Sequence, residues 1–221
     1  MAALRPDEQA AFEFMLKRIR GAEDARIGMI AGEPYAVAYF RALANTPVLG
    51  EALARLGQVA MEVPGRKGTL SAADHEFADA VIAFDSGYTW LMACHGPLAI
   101  QAGVRPEALA ALSDGREGDL TDDERQQVEF TRAVRDKKVT AEIWKRMVER
   151  LGSERGAIEY AFFVLLVLLN HLLASAMGVP DMTPEELDAM FAGVRSDGTA
   201  ISYHDYARTF GDAPFRVEDE S

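Results

Sequence analysis

Residues 71–103 read SAADHEFADAVIAFDSGYTWLMACHGPLAIQAG, and two consecutive helices can be read from them. Ser71 is placed as an N-cap with Asp74 three residues on, the pattern of a capping box, and the helix it opens is expected to reach about Phe84. Asp85-Ser-Gly interrupts the chain, and a second helix is expected from near Gly87 to Ala102, stopped by Gly103. At about 100° per residue, Tyr88, Met92, His95, Ala99 and Ala102 fall in a stripe about 80° wide, with Leu91 just beside it. In the first helix Ala73, Phe77, Ala80 and Phe84 form the apolar face, and Glu76 sits about 60° off its centre. Antiparallel packing through the short connection brings the Glu76 carboxylate and the His95 imidazole together at the edge of an apolar contact.

Helix signals continue on both sides of this pair, while period-two alternation hardly occurs, so the expected fold class is all-α. Pro6 opens an amphipathic segment to about Arg20, and Pro34–Ala44 and Pro47–Met61 each start with proline at or near the first helical position. Past Arg105-Pro106 a short helix leads into the polar loop Ser113–Leu120. Thr121 with Glu124 forms a second capping box, Thr140 caps a helix ending before Gly152, and Ser153 starts a long apolar helix stopped by Gly178 and Pro180. Thr183-Pro-Glu-Glu reads as one more helix start, followed by a polar tail. The expected organisation is a helical extension over 1–65, a core over 66–180, and a C-terminal helix and tail over 181–221.

Composition narrows the function classes. With 23 Lys+Arg against 35 Asp+Glu, the net charge of −12 disfavours nucleic acid and anionic membranes as partners. The single cysteine, Cys94, excludes an internal disulfide, a thiolate zinc site and any Cys-x-x-Cys pair. The N-terminus lacks a signal-peptide pattern, and a cytoplasmic location is expected. The apolar run Tyr160–Leu169 is about half the length a membrane span needs and reads as a buried core helix. No dinucleotide, P-loop, H-E-x-x-H or G-x-S-x-G motif occurs, so any chemistry is expected to use side chains without cofactor.

A partly desolvated carboxylate beside an imidazole orients one tautomer and shifts the pair's proton affinity. Such a couple can take a proton from one carbon and return it at another. A core histidine satisfied by a neighbouring carboxylate has the same signature. His171, after Asn170 in the long helix, either lines the same pocket or forms a buried hydrogen-bonded pair with its neighbour. Glu76, His95, Glu159 and His171 show no local metal-ligand spacing, and no metal is expected. Arg66 and Lys67 form a basic loop able to steer a carboxylate or simply a solvated turn, and His204 lies in the tail.

The stretch resembles the core of the carboxymuconolactone decarboxylase and alkylhydroperoxidase D superfamily. Its thiol-peroxidase branch carries a Glu, then twelve residues later C-x-x-C-x-x-x-H, then small residues and a Gly. Here Glu76 is followed twelve positions on by Tyr88, then by Leu91, His95, Ala99 and Gly103. The upstream FRALANTPVLGEALARL and the end of the long helix, Ala174–Val179, are also similar, so the resemblance spans roughly residues 38–180. It implies a helical orthogonal bundle that assembles as a homo-oligomer. Both thiol positions are replaced, which removes the dithiol peroxide cycle. Cys94 lies about 100° round the helix from His95 and leaves open only a one-cysteine peroxidase.

The decarboxylase branch also lacks the cysteines and, by the resemblance, works without metal or organic cofactor. His75 stands where that branch has an arginine, and Tyr88-Thr-Trp90 lies about two residues farther from His95 than its aromatic pair. The resemblance implies a cofactor-independent acid/base enzyme acting on a small organic acid or lactone by decarboxylation or double-bond isomerisation. Glu76 and His95 would transfer the proton, Tyr88 would donate to a developing enolate, and Leu91, Met92 and His171 would contact the substrate. Two other readings stay open: a peroxidase resting on Cys94, and a catalytically silent helical oligomer that binds a small molecule or a protein.

Overall fold

The residues placed as caps open the helices. Ser71 Oγ accepts from the Asp74 amide at 3.1 Å while the Asp74 carboxylate accepts from the Ser71 amide at 2.7 Å. Thr121 and Glu124 repeat this arrangement at 3.2 and 2.8 Å. Thr140 accepts from the Ile143 amide and Ser153 from the Gly156 amide. Each hydroxyl thus satisfies a donor that the first helical turn leaves without an intrahelical partner.

The computed structural model describes residues 5–24, 29–30, 33–61, 70–87, 91, 95–96, 99–100, 102–181 and 183. It is mostly helical, as expected. The elements are α1 (Pro6–Asp24), an antiparallel pair of two-residue strands β1 (Met29–Ile30) and β2 (Glu33–Pro34), α2 (Tyr35–Leu43), α3 (Pro47–Met61) and α4 (Ala72–Ser86). They continue with α5 (Pro106–Ser113), a 3₁₀ turn at Glu117–Asp119, α6 (Asp122–Arg135), α7 (Ala141–Leu151) and α8 (Glu154–Ala176). Leu91, His95, Gly96, Ala99 and Ile100 are helical as well. Two boundaries differ from expectation. Helix α1 runs to Asp24, and Pro34 ends the small strand pair instead of opening α2.

The three N-terminal helices pack on one another, while α4 packs against α5, α6 and α8. Helix α4 lies between two apolar clusters. Ala78 and Ile82 join Phe130, Met147, Tyr160 and Val164, whereas Phe77, Ala80 and Val81 join Ala99, Leu109, Leu112 and Val128. Every residue from Asp74 to Ala83 is buried, so α4 is an axial helix with no solvent face. Its C-terminal end is clasped by Asp85, which pairs with Arg132 at 2.9 Å and with Arg135. Gly87 then stops it in the left-handed region at φ 69°, a conformation costly for residues with a Cβ.

Helix α8 is the expected buried core helix on one face only. Tyr160, Phe163, Val164, Val167, His171 and Ala174 are buried. Ile158, Phe162, Leu165, Leu169 and Leu172 form an opposite stripe that is 42–68% exposed. By length and composition α8 could cross a membrane, and its inner face is built into the protein core. A cavity of about 360 Å³ lies among the N-terminal helices, lined by Phe12, Leu16, Ile19, Arg20, Arg41 and Ala44.

Helix α3 contains two glycines in opposite surroundings. A methyl added at Gly50 would meet the Leu43 carbonyl oxygen at 3.0 Å and Met15 Sδ at 3.2 Å, whereas one at Gly57 meets nothing within 4 Å. Gly57→Ala should therefore raise stability by about 0.5–1 kcal/mol through helix propensity. Gly50→Ala should lower it, because a backbone carbonyl cannot yield without moving the chain. Urea unfolding midpoints of the two variants will move in opposite directions.

Candidate active site

Helix α4 turns three titratable side chains toward one region. His75 and Asp79 are one turn apart, and Glu76 lies about 60° farther round the helix from Asp79. His95 approaches from the next helical segment. Its Nδ1 is 3.1 Å from Glu76 Oε2 and 3.3 Å from Asp79 Oδ2. The expected meeting of Glu76 and His95 is thus present, and Asp79 is a third member that the periodicity argument did not single out. Glu76 and Asp79 are buried, while the His95 side chain stays 28% exposed. With Nδ1 facing both carboxylates, Nε2 is the ring nitrogen that neither of them engages.

Two buried carboxylates around one imidazole redistribute the protons. Burial pushes the Asp79 carboxyl up, the His95 charge draws it back and Glu76 pushes it up again, leaving it at about 7. Burial alone would depress His95, but Asp79 and the bonded Glu76 overcome this and hold it at about 9. The other two buried histidines move the opposite way. Burial and the His95 charge take His75 down to about 3. His171 falls to about 4 for the same two reasons, against an opposing pull from Asp181. At neutral pH one imidazole of the three is therefore cationic, and it is the one flanked by carboxylates.

His171 reaches this region from α8. The Ser86 hydroxyl donates to the Ala83 carbonyl at 3.1 Å, so His171 Nδ1 donates to Ser86 Oγ across 3.4 Å. Asn170 does not pair with His171. Its Oδ1 accepts from the Tyr39 hydroxyl at 2.8 Å, because the two side chains point to different neighbours on successive helix positions. Glu159 is engaged by Arg155 at 2.9 Å and does not join the cluster by that contact. Leu91 is buried at 4% exposure. Tyr88, Trp90, Met92, Cys94, Arg66, Lys67 and His204 lie outside the described residues.

His75 was noted in the sequence only as a departure from a family pattern. In the structure it is 1% exposed, its ring lies against Phe163, and Nε2 has no hydrogen-bond partner among the described residues. The signal that finds it is the i, i+4 relation to Asp79, which places both on one face. No family model, no curated protein and no solved structure matches the chain.

The proton distribution sets a pH dependence. His95 holds its proton more tightly folded, at about 9, than at its ordinary 6.5, so its contribution to stability is full below 6.5 and lost as pH rises through about 9. Asp79 acts in the same direction, but its window closes near 7. His75 and His171 are depressed and cost stability only as pH falls below about 6.5. From pH 7 to 9 the unfolding free energy of the wild type should therefore fall. In His95→Gln that slope should flatten, as read by urea unfolding at pH 7, 8 and 9.

Proposed function

We propose that the chain is an acid/base enzyme of the carboxymuconolactone decarboxylase type, with Glu76 and His95 as its proton-transfer pair. The observation that carries this reading is the 3.1 Å contact of Glu76 Oε2 with His95 Nδ1 in a helix pair where Glu76 is buried and His95 keeps partial access to solvent. Burial strengthens their coupling, and the His95 side chain, 28% exposed, stays in reach of a small molecule.

The substrate class is a small activated organic acid or lactone. In a decarboxylation the C–CO₂ bond breaks, its electron pair moves into an enolate or dienolate, and the His95 imidazolium, stabilised by Glu76 until then, delivers its proton to carbon, becomes neutral and takes a new proton from solvent. In a double-bond shift the Glu76 carboxylate takes a proton from one carbon, the His95 imidazolium delivers one to another, and the proton on Glu76 then passes back to the ring. Tyr88 is assigned as the donor to the enolate oxygen. Leu91, Met92 and His171 are assigned to substrate contact.

Glu76→Gln keeps the size of the side chain and removes its charge. Carbon dioxide release from a panel of activated acids should drop by about 10²-fold or more in this variant, with circular dichroism unchanged. Full retained turnover in the folded variant would sink the assignment.

The reading includes assembly as a cytoplasmic homo-oligomer. It is supported by the apolar stripe of α8, from Ile158 to Leu172, whose 3.5-residue average spacing suits packing against another helix. Leu165→Glu combined with Leu172→Glu places like charges on that stripe. Light scattering after gel filtration should show the wild type as an oligomer and this variant with a smaller mass.

A further inference from the structure

We propose that His75, Glu76, Asp79 and His95 form a binding site for a divalent transition-metal ion of the zinc class. The donors are two imidazoles and two carboxylates, a set that suits Zn²⁺ and its first-row neighbours better than Mg²⁺ or Ca²⁺. His75 and Asp79 stand one turn apart on α4, the spacing by which a helix presents two ligands from one face. A ring nitrogen of His75 lies within 4.8 Å of a carboxylate oxygen of Glu76 and of one from Asp79.

The spacing of His95 and the two carboxylates suits a cation as well as a shared proton. Charge-assisted N–H···O bonds are usually about 2.7–2.9 Å long. His95 Nδ1 stands off at 3.1 Å from Glu76 and 3.3 Å from Asp79. Ligands about 2.0–2.2 Å from a tetrahedral ion are separated from one another by about 3.3–3.5 Å, so the cluster is already near the spacing of such a shell.

His75 supplies the second, independent observation. The carboxylates and His95 can satisfy one another by sharing protons. His75 does not join that exchange, since its Nε2 is fully buried with no hydrogen-bond partner among the described residues. A buried polar atom left in that state loses its hydration without recompense, and metal ligation through Nε2 removes the deficit. The charges also balance, because two carboxylates neutralise the divalent ion while the imidazoles bind as neutral ligands. The His95 proton leaves as the ion enters.

The test uses the full chain, free of any polyhistidine tag and treated with chelator, titrated with Zn²⁺ by calorimetry. One equivalent per chain should bind, and Asp79→Asn and His75→Gln should each weaken it by at least about 10-fold. Should either variant fail to fold, the wild type still decides the matter: added Zn²⁺ should shift the ring nitrogen resonances of His75 and His95 in histidine-labelled protein. Absence of stoichiometric binding, or binding that leaves both rings unshifted, overturns the site. Turnover of the metal-free protein tests the acid/base reading separately, so either can fail alone.

Discussion

The rest of the structure depends on the burial of α4 on all sides. A helix with no solvent face is normally apolar all round, yet α4 carries Asp74, His75, Glu76 and Asp79 within its buried segment. Burying carboxylates without compensation is prohibitive, so each must find a donor or hold a proton. Asp74 is satisfied locally by the Ser71 cap and over distance by Arg150 at 2.5 Å, and the same arginine holds Asp123 at 2.6 Å. One residue therefore closes the start of α4, the end of α7 and the start of α6 onto a common ion pair. At the far end Asp85, Arg132 and Arg135 do the same for α4 and α6, with Glu117 bonded to Arg132 at 2.7 Å.

Between those two clasps no arginine or lysine is recorded as bonded to Glu76 or Asp79 among the described residues. Their compensating charge is the His95 imidazolium, a weaker and titratable counter-ion. This separates buried charge held by permanent cations from buried charge held by a titratable one in the same helix. Arg150 and Arg132 keep their protons at any ordinary pH and lock geometry. His95 can lose its proton, and the carboxylates beside it then have to redistribute theirs. The neutrality of His75 and His171 follows from the same field, because a second cation so near His95 would be repelled as well as desolvated.

Much of this was legible in the sequence wherever the determining forces are local. Caps depend on side-chain to backbone bonds a few residues apart, and Ser71, Thr121, Thr140 and Ser153 could all be placed from their neighbours. The Glu76–His95 contact was reachable too, because two short helices joined by a glycine turn leave few ways to pack. Asp79 and His75 were not reachable by the same route. Helical periodicity sorts residues into one apolar and one polar face, and that sorting fails for a helix buried between two cores. The Tyr39–Asn170 bond spans more than half the chain and leaves no mark in either local segment.

Helix α8 shows the converse limit. Its run of apolar residues reads as burial all round, since hydropathy does not distinguish a side chain covered by its own chain from one awaiting another surface. The structure resolves this by direction. Phe163 and His171 point inward to the region of His75 and His95, whereas Phe162 and Leu172, each next to an inward residue, point out. Neighbouring positions about 100° apart on one rigid helix therefore serve the site and the outer surface at once. A close-packed helix does not absorb a displacement at one face without moving the other. Whatever covers the outer stripe consequently presses on the element that sets the distance of His171 and Phe163 from the carboxylate–imidazole cluster.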